Sequence, residues 1–222
     1  MFDFLKKPVP KTRQIRDTLF GDAPLDDWIK IAPASIASEP WISFLRAKEY
    51  VDSSDSQRAM EVLKNITEMP NLESRQSLQA WQFLRDLGAN PSPADAKTLL
   101  GVVVEVGMPK GVDLVAAYAD YRARYYNYSS AAVIWELPNA SLNQRIDDLL
   151  RAGAIAVQAI GLWEGTRPAA PTNGIARINL LTPSGLHVGE GPMDALAKDR
   201  LGGPVINAAL QLMLGLMQAT KK

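Results

Sequence analysis

Hydrophobic residues in the first 90 positions recur at the three- and four-residue spacing of helices. The pattern predicts three helices, over residues 41–51, 56–69 and 72–87. Asp55 or Ser54 can cap the second helix, and Gly88 can end the third. We interpret the second and third helices as a hairpin packed on a sheet.

The five prolines of residues 1–40 leave room only for short helices, such as one or two turns over 26–31. The opening segment carries Phe2, Phe4 and Leu5 beside two lysines. It could be a small membrane-surface anchor, but at this length we favour a tail that docks on the body of the protein.

After the Pro-rich break at 90–93 the hydrophobic period changes to two. The nearly continuous apolar run over 99–106 is typical of a strand that is covered on both faces. Turn signals separate it from three more predicted strands, over residues 112–119, 122–128 and 131–137. Short strands with short connections predict an antiparallel meander.

The remainder alternates helix and strand. Ser141 and Gln144 have the spacing of a capping box, and an apolar face continues from there to Ile160. That face favours one helix, although a helix ending at Gly153 followed by a strand over 154–162 is the alternative. A loop over 164–174, strands over 175–181 and 186–188, and a final helix over 204–220 complete the chain.

The final helix is apolar around nearly its whole circumference. We therefore expect it to be covered on two sides. The sheet is the first cover, and the second is either the helical hairpin at 56–87 or a second copy of the same helix. If a second copy of the helix is the cover, the protein self-associates, for which a homodimer is the simplest form.

Together these elements predict an α+β fold. A helical region with a Pro-rich N-terminal tail, residues 1–90, is expected to pack on an α/β domain, residues 91–222, that contains the antiparallel meander and two long helices. The element order is similar to that of profilin-like and roadblock-like architectures. The similarity is one of element order alone and implies no function.

Composition narrows the classes of function. The chain has 24 basic and 24 acidic residues, so it lacks the basic excess typical of nucleic-acid binders. It has no cysteine and one histidine, which excludes disulfides, cysteine nucleophiles and thiolate metal sites. We find no export signal, no apolar run of the roughly 18 residues that span a membrane, no metal motif and no cofactor motif. We expect a cytoplasmic protein.

Two features are candidate sites. His187 stands in a Gly-rich segment near Ser184, Glu190 and Asp194, where it could act as a general base. The simpler interpretation is that His187 is a half-exposed strand residue and is dispensable for folding. The other candidate is a strand face with binding-site composition, predicted to be solvent-facing and formed by Arg122, Arg124, Tyr126 and Tyr128.

The sequence therefore leads to three hypotheses of function. We favour a non-enzymatic cytoplasmic binding or assembly module that binds a protein partner or self-associates through the C-terminal helix. The second hypothesis is a hydrolase or small-ligand enzyme that uses His187 with nearby carboxylates. The third is recognition of an acidic or polymeric ligand by the Arg/Tyr strand face.

Overall fold

The computed structural model describes residues 11–30, 38–129, 131–136 and 140–219, with side chains from residue 15 onward. The predicted docking tail at the N-terminus lies outside these residues. The helices are α1 (Lys11–Phe20), α2 (Leu25–Lys30), α3 (Trp41–Asp52), α4 (Ser56–Thr67), α5 (Ser74–Asp86), α6 (Asn143–Ala159), α7 (Met193–Leu196) and α8 (Gly202–Ala219). The strands are β1 (Gly101–Met108), β2 (Gly111–Tyr118), β3 (Ala123–Tyr126), β4 (Ala132–Trp135), β5 (Ile175–Thr182) and β6 (Gly185–Pro192).

The helices α3, α4 and α5 confirm the three helices predicted from hydrophobic spacing. Asp55 is the N-cap of α4, and its side chain accepts a hydrogen bond from the amide of Arg58 at 3.1 Å. Helix α1 was not predicted, because its ten residues lie in the stretch where prolines argued for shorter elements. Together α2 to α5 enclose an apolar cluster of their own, centred on Phe44, Leu63 and Leu84.

All six strands form one antiparallel sheet in the order β4-β3-β2-β1-β5-β6. The four-strand meander is confirmed, and the β5–β6 hairpin extends it beyond β1. Strand β1 is buried on both faces, as its continuous apolar run predicted. The α+β class is therefore confirmed.

Each face of the sheet carries a different helical layer. Helices α6 and α8 cover the face that presents Val102, Val104 and Leu180. The opposite face presents Val103, Leu114 and Tyr118, against which Leu19 of α1 and Leu78 of α5 pack. The N-terminal helices and the two long C-terminal helices thus lie on opposite sides of the sheet.

Helix α6 runs without interruption to Ala159, so the helical alternative for this segment is confirmed up to that residue. Gly153 allows the helix to approach the sheet closely, since a Cβ there would lie 2.8 Å from Val102 Cγ2. The predicted capping box is wrong: Leu142 holds the N-cap position with no side-chain cap hydrogen bond. Gln144 instead donates to Asp148 one turn along the helix, at 2.9 Å.

Helix α8 is covered by the sheet and by α6, but the hairpin predicted as its second cover is on the wrong side of the sheet. A Cβ at Gly215 would lie 2.8 Å from Arg145 Cδ, which marks the close crossing of α6 and α8. The outward side of α8 remains open, with Leu210 45% exposed and Leu214 41% exposed. None of the helices in the described part of the chain is long and apolar enough to cross a membrane.

Candidate ligand-binding cleft

The Arg/Tyr strand face differs from the solvent-facing surface predicted for it. Arg124 and Tyr126 do lie on one face of β3, since they pair with Ala116 and Leu114 of β2. However, Arg124 is only 7% exposed, and Tyr126 is half-buried against the α1–α5 side of the sheet. Tyr128 lies beyond the end of the strand and is exposed.

The two arginines of this face are held by acidic neighbours. Arg124 forms an ion pair with Glu136. Arg122 lies 3.1 Å from Asp120 Oδ2 and 3.2 Å from Glu136 Oε2. Burial, together with the charge of nearby Arg75, lowers the pKa of Arg124 below its ordinary value. The prediction that both arginines face solvent is therefore wrong for Arg124, and most of their charge is compensated within the protein.

His187 is buried, so the prediction of a half-exposed residue is also wrong. Its Nδ1 lies 2.9 Å from the carbonyl oxygen of Gly161 and 3.3 Å from that of Ile160. Because a carbonyl oxygen can only accept, Nδ1 carries the proton in the neutral ring. Burial lowers the pKa of His187, while the two carbonyl contacts act in the opposite direction.

No carboxylate of the described residues is a hydrogen-bond partner of His187. Its Nε2 faces Ser184 Oγ at 3.4 Å, and that hydroxyl donates to the carbonyl of Ala96 at 2.6 Å. Glu190 lies on the other face of the sheet, paired with Arg177. The arrangement fastens the β5–β6 hairpin to the segment after α6, and it lacks the carboxylate that orients a catalytic histidine.

A concave cleft of about 1140 Å³ lies on the α1–α5 side of the sheet. Its walls are α1 with the following turn, α5, and the segment 162–170, which we call the cleft loop. The β5–β6 hairpin forms the floor. The apolar lining consists of Phe20, Leu78, Leu162, Trp163, Leu181 and Leu186.

The wall made by α1 is fixed to α5 and to the sheet. Gly21 has a φ of 60° and lies so close to α5 that a Cβ there would be 2.7 Å from Leu78 Cβ. The buried Gln79 side chain donates to the carbonyl of Ala23 at 2.7 Å and accepts from its amide at 3.1 Å. Tyr118 donates to the carbonyl of Leu19 at 2.7 Å. These contacts hold the cleft open by fixing one wall independently of the cleft loop.

The cleft loop is anchored by a buried ionic cluster. Glu105 is fully buried in β1, and its carboxylate accepts from Arg16 Nε at 2.6 Å and lies 3.4 Å from Arg177 Nη1. The same two guanidinium groups reach the cleft loop: Arg16 donates to the carbonyl of Pro168 at 2.8 Å, and Arg177 to that of Ala169 at 2.5 Å. The carboxylate on β1 therefore holds both arginines in position to fix the loop.

A second set of ion pairs ties the cleft loop to α1. Arg167 donates to Asp22 Oδ2 at 2.6 Å and to Asp17 Oδ1 at 2.5 Å. Its guanidinium lies 4.4 Å from the centre of the Phe20 ring. Burial raises the pKa of Asp22, and Arg167 partly offsets that effect.

Arg85 differs from the other two arginines of the cleft. Arg16 and Arg167 pair with carboxylates, whereas Arg85 has no carboxylate within 4.0 Å among the described residues. It donates to the carbonyl of Pro183 at 2.5 Å and to Gln82 Oε1 at 2.6 Å. Burial lowers the pKa of Arg85, partly offset by the charges of Asp86 and Asp22.

One residue of this site could have been recognised from the sequence, and Arg85 could not. A single acidic residue inside the apolar run of β1 requires a buried partner, and Glu105 could have been recognised on that ground. Its partners lie 89 and 72 positions away, on α1 and β5, so spacing along the chain does not reveal them. Nothing in the local pattern distinguishes Arg85 from other helix-surface arginines.

The described residues contain no group of three or more histidine or acidic side chains placed to hold a metal ion. Comparisons with protein-family models, curated proteins and solved structures find no significant match to the chain.

Proposed function

We propose that this protein is a non-enzymatic binding module of the cytoplasm, and that the cleft between α1, α5 and the β5–β6 hairpin is its ligand-binding site. The size and lining of the cleft support this proposal. Its volume of about 1140 Å³ is large enough to hold a small organic molecule. Apolar side chains line it, and a few charged groups converge on it, which is the usual composition of such sites.

The ionisable groups of the walls favour binding over catalysis. Arg167 is engaged with Asp17 and Asp22, and Arg16 is engaged with Glu105. Their role in the proposed module is to fix the walls. The hydrolase hypothesis depends on His187, whose ring is not part of the cleft lining and contacts two backbone carbonyls. Its one contact with the lining is the hydroxyl of Ser184, which already donates to the carbonyl of Ala96. The Arg/Tyr hypothesis depends on arginines already paired with acidic residues.

A neutral dye tests the proposed site. N-phenylnaphthylamine fluoresces strongly in apolar surroundings and weakly in water, so we expect its emission to rise when it enters the cleft. Ala169 is exposed and lines the cleft, and Ala169→Trp should fill part of it. We expect this variant to bind the dye about tenfold more weakly, a loss of about 1.4 kcal/mol.

The matched control is Ala154→Trp, which adds the same ring at an exposed position of α6 on the other side of the sheet. It should bind the dye as the unaltered protein does. No dye binding by the unaltered protein, or equal binding by both variants, would contradict the proposal.

A second candidate function, self-association through α8, is favoured by a separate observation. The 18 residues of α8 contain no charged side chain, and Leu210 and Leu214 stand exposed one turn apart on its outer side. An uncharged, apolar surface suits a second copy of itself, because two copies meet without electrostatic repulsion. In this proposal the outer side of α8 forms the core of a symmetric homodimer.

A further inference from the structure

Arg85 sets the chemistry that the cleft can recognise. We infer that the cleft takes a small organic anion with an apolar body, whose charged group pairs with Arg85 and whose body lies along the cleft loop. This inference rests on the proposed function, since it assigns a ligand class to the same cleft.

The charge of Arg85 favours an anionic ligand. The side chain is half-buried at the junction of α5 and the β5–β6 hairpin, where its charge lacks a carboxylate partner within 4.0 Å among the described residues. A partly buried charge without a counter-charge is costly, and an anionic ligand would remove that cost. The two other cleft arginines cannot serve equally, because carboxylates already occupy them.

Arg85 also has more N–H donors than its two hydrogen bonds use. A guanidinium carries five N–H groups. Two of them serve Pro183 and Gln82, and these bonds fix the plane of the Arg85 fork. The remaining N–H groups are available to a carboxylate, sulfonate or phosphate, the planar or branched anions that arginine recognises best.

An apolar surface begins beside Arg85. A Cβ at Gly185 would lie 3.2 Å from Leu162 Cδ1 and 3.8 Å from Arg85 Nε, so the cation and the start of the apolar surface meet at this glycine. Leu162 is 50% exposed, and the next residue, Trp163, is 42% exposed.

Trp163 is held in place at both ends. Its amide donates to the carbonyl of Leu186 at 2.7 Å, and its indole Nε1 donates to that of Thr166 at 3.1 Å. An exposed but fixed indole in the same cleft as a cation without a carboxylate partner fits an aromatic or aliphatic anion better than a neutral polar ligand or a cation.

The test compares two dyes that differ by one anionic group. Anilinonaphthalene sulfonate has the ring system of N-phenylnaphthylamine and adds a sulfonate. For Arg85→Gln we expect the affinity for the sulfonate dye to fall about tenfold or more, as for the loss of a charge-assisted hydrogen bond. The affinity for the neutral dye should stay within about twofold, since the apolar surface is unchanged. Arg85→Lys keeps the charge without the fork and should retain part of the binding.

The matched control is Arg151→Gln, which removes an exposed arginine of α6 outside the cleft. It should leave both affinities unchanged. If the neutral dye binds in the cleft but the sulfonate dye is insensitive to Arg85→Gln, the inference fails and the proposed function stands. If Ala169→Trp leaves the binding of both dyes intact, the proposed function fails with it.

Light scattering during the titrations excludes a different occupant. The sulfonate dye should bind the unaltered protein without changing its mass. A dimer that dissociates as the dye binds, and that Ala169→Trp also dissociates, would show that a second copy of the chain occupies the cleft and would overturn the inference.

Discussion

His187 lies under the β5–β6 hairpin as a neutral ring that donates to a backbone carbonyl. Its pKa in the folded protein is below the ordinary value of 6.5, chiefly because burial disfavours the charged form. As the pH falls below that value, the unfolded chain binds a proton at this residue before the folded chain does. Protonation of the unfolded chain then lowers the free energy of unfolding. The stability that comes from burying a neutral His187 is therefore present above pH 6.5 and is lost as the pH falls.

His187→Asn tests this linkage, because an amide can still donate to the carbonyl of Gly161 but does not titrate in this range. We expect the thermal midpoint of the unaltered protein to fall more steeply between about pH 7 and pH 5 than that of the variant. Asp22, whose pKa is raised, acts in the opposite direction in both proteins and cancels in the comparison. Equal pH dependence of the two midpoints would show that protonation of His187 does not affect the stability of the fold.

At the same scale, Glu105 illustrates what residue types alone can and cannot predict. An acidic residue inside an apolar strand indicates a buried partner of opposite charge. Which arginines pair with it depends on how α1 and β5 pack against β1. Loss of one partner from a buried ionic cluster costs about 3–5 kcal/mol. Arg16 and Arg177 also hold the cleft loop through its carbonyls, so this cluster couples the stability of β1 to the shape of the cleft.

Among the elements, those with a strong hydrophobic period were predicted correctly. The helices α3 to α5 and the strands of the meander were all recognised, because a buried face produces a hydrophobic period and the two buried faces of β1 produce a continuous apolar run. Helix α1 was missed, since its stability comes from contacts with α5 and β2 that are remote in sequence. The cover of α8 by the sheet was predicted, but the hairpin at 56–87, one of the two candidates for its second cover, was wrong. The apolar surface of a helix indicates that it must be covered and does not indicate which element covers it.

The exposed outer side of α8 allows a test of self-association. If Leu210 and Leu214 form the core of a homodimer, Leu214→Glu should convert the dimer to a monomer, because the charge would be buried in the interface without a partner. Mass measurement by light scattering at several protein concentrations reports the change. Val51→Glu is the control: it makes the same kind of change at an exposed apolar residue of α3, on the other side of the sheet from α8, and should leave the mass unchanged. An unaltered protein that is monomeric throughout would contradict self-association.

At the scale of the whole molecule, the cleft exists because the sheet is covered by two unlike layers. The α6–α8 layer packs flat on one face around a large apolar cluster. On the other face, α1 and α5 cover mainly β1 and β2, and the gap toward the β5–β6 hairpin is bridged by the cleft loop. The sequence predicted this segment only as a loop, since its role depends on arginines contributed by α1 and β5.

The most direct test of the cleft as the ligand site is a nuclear magnetic resonance titration with N-phenylnaphthylamine. The chain has five tryptophans, so the indole N–H signals can be assigned individually. We expect the Trp163 indole signal and the amides of the cleft loop to shift most, while the Trp135 signal beside the α8 layer stays in place. Shifts confined to α8 or to Trp135, with Trp163 unmoved, would show that the dye binds outside the cleft.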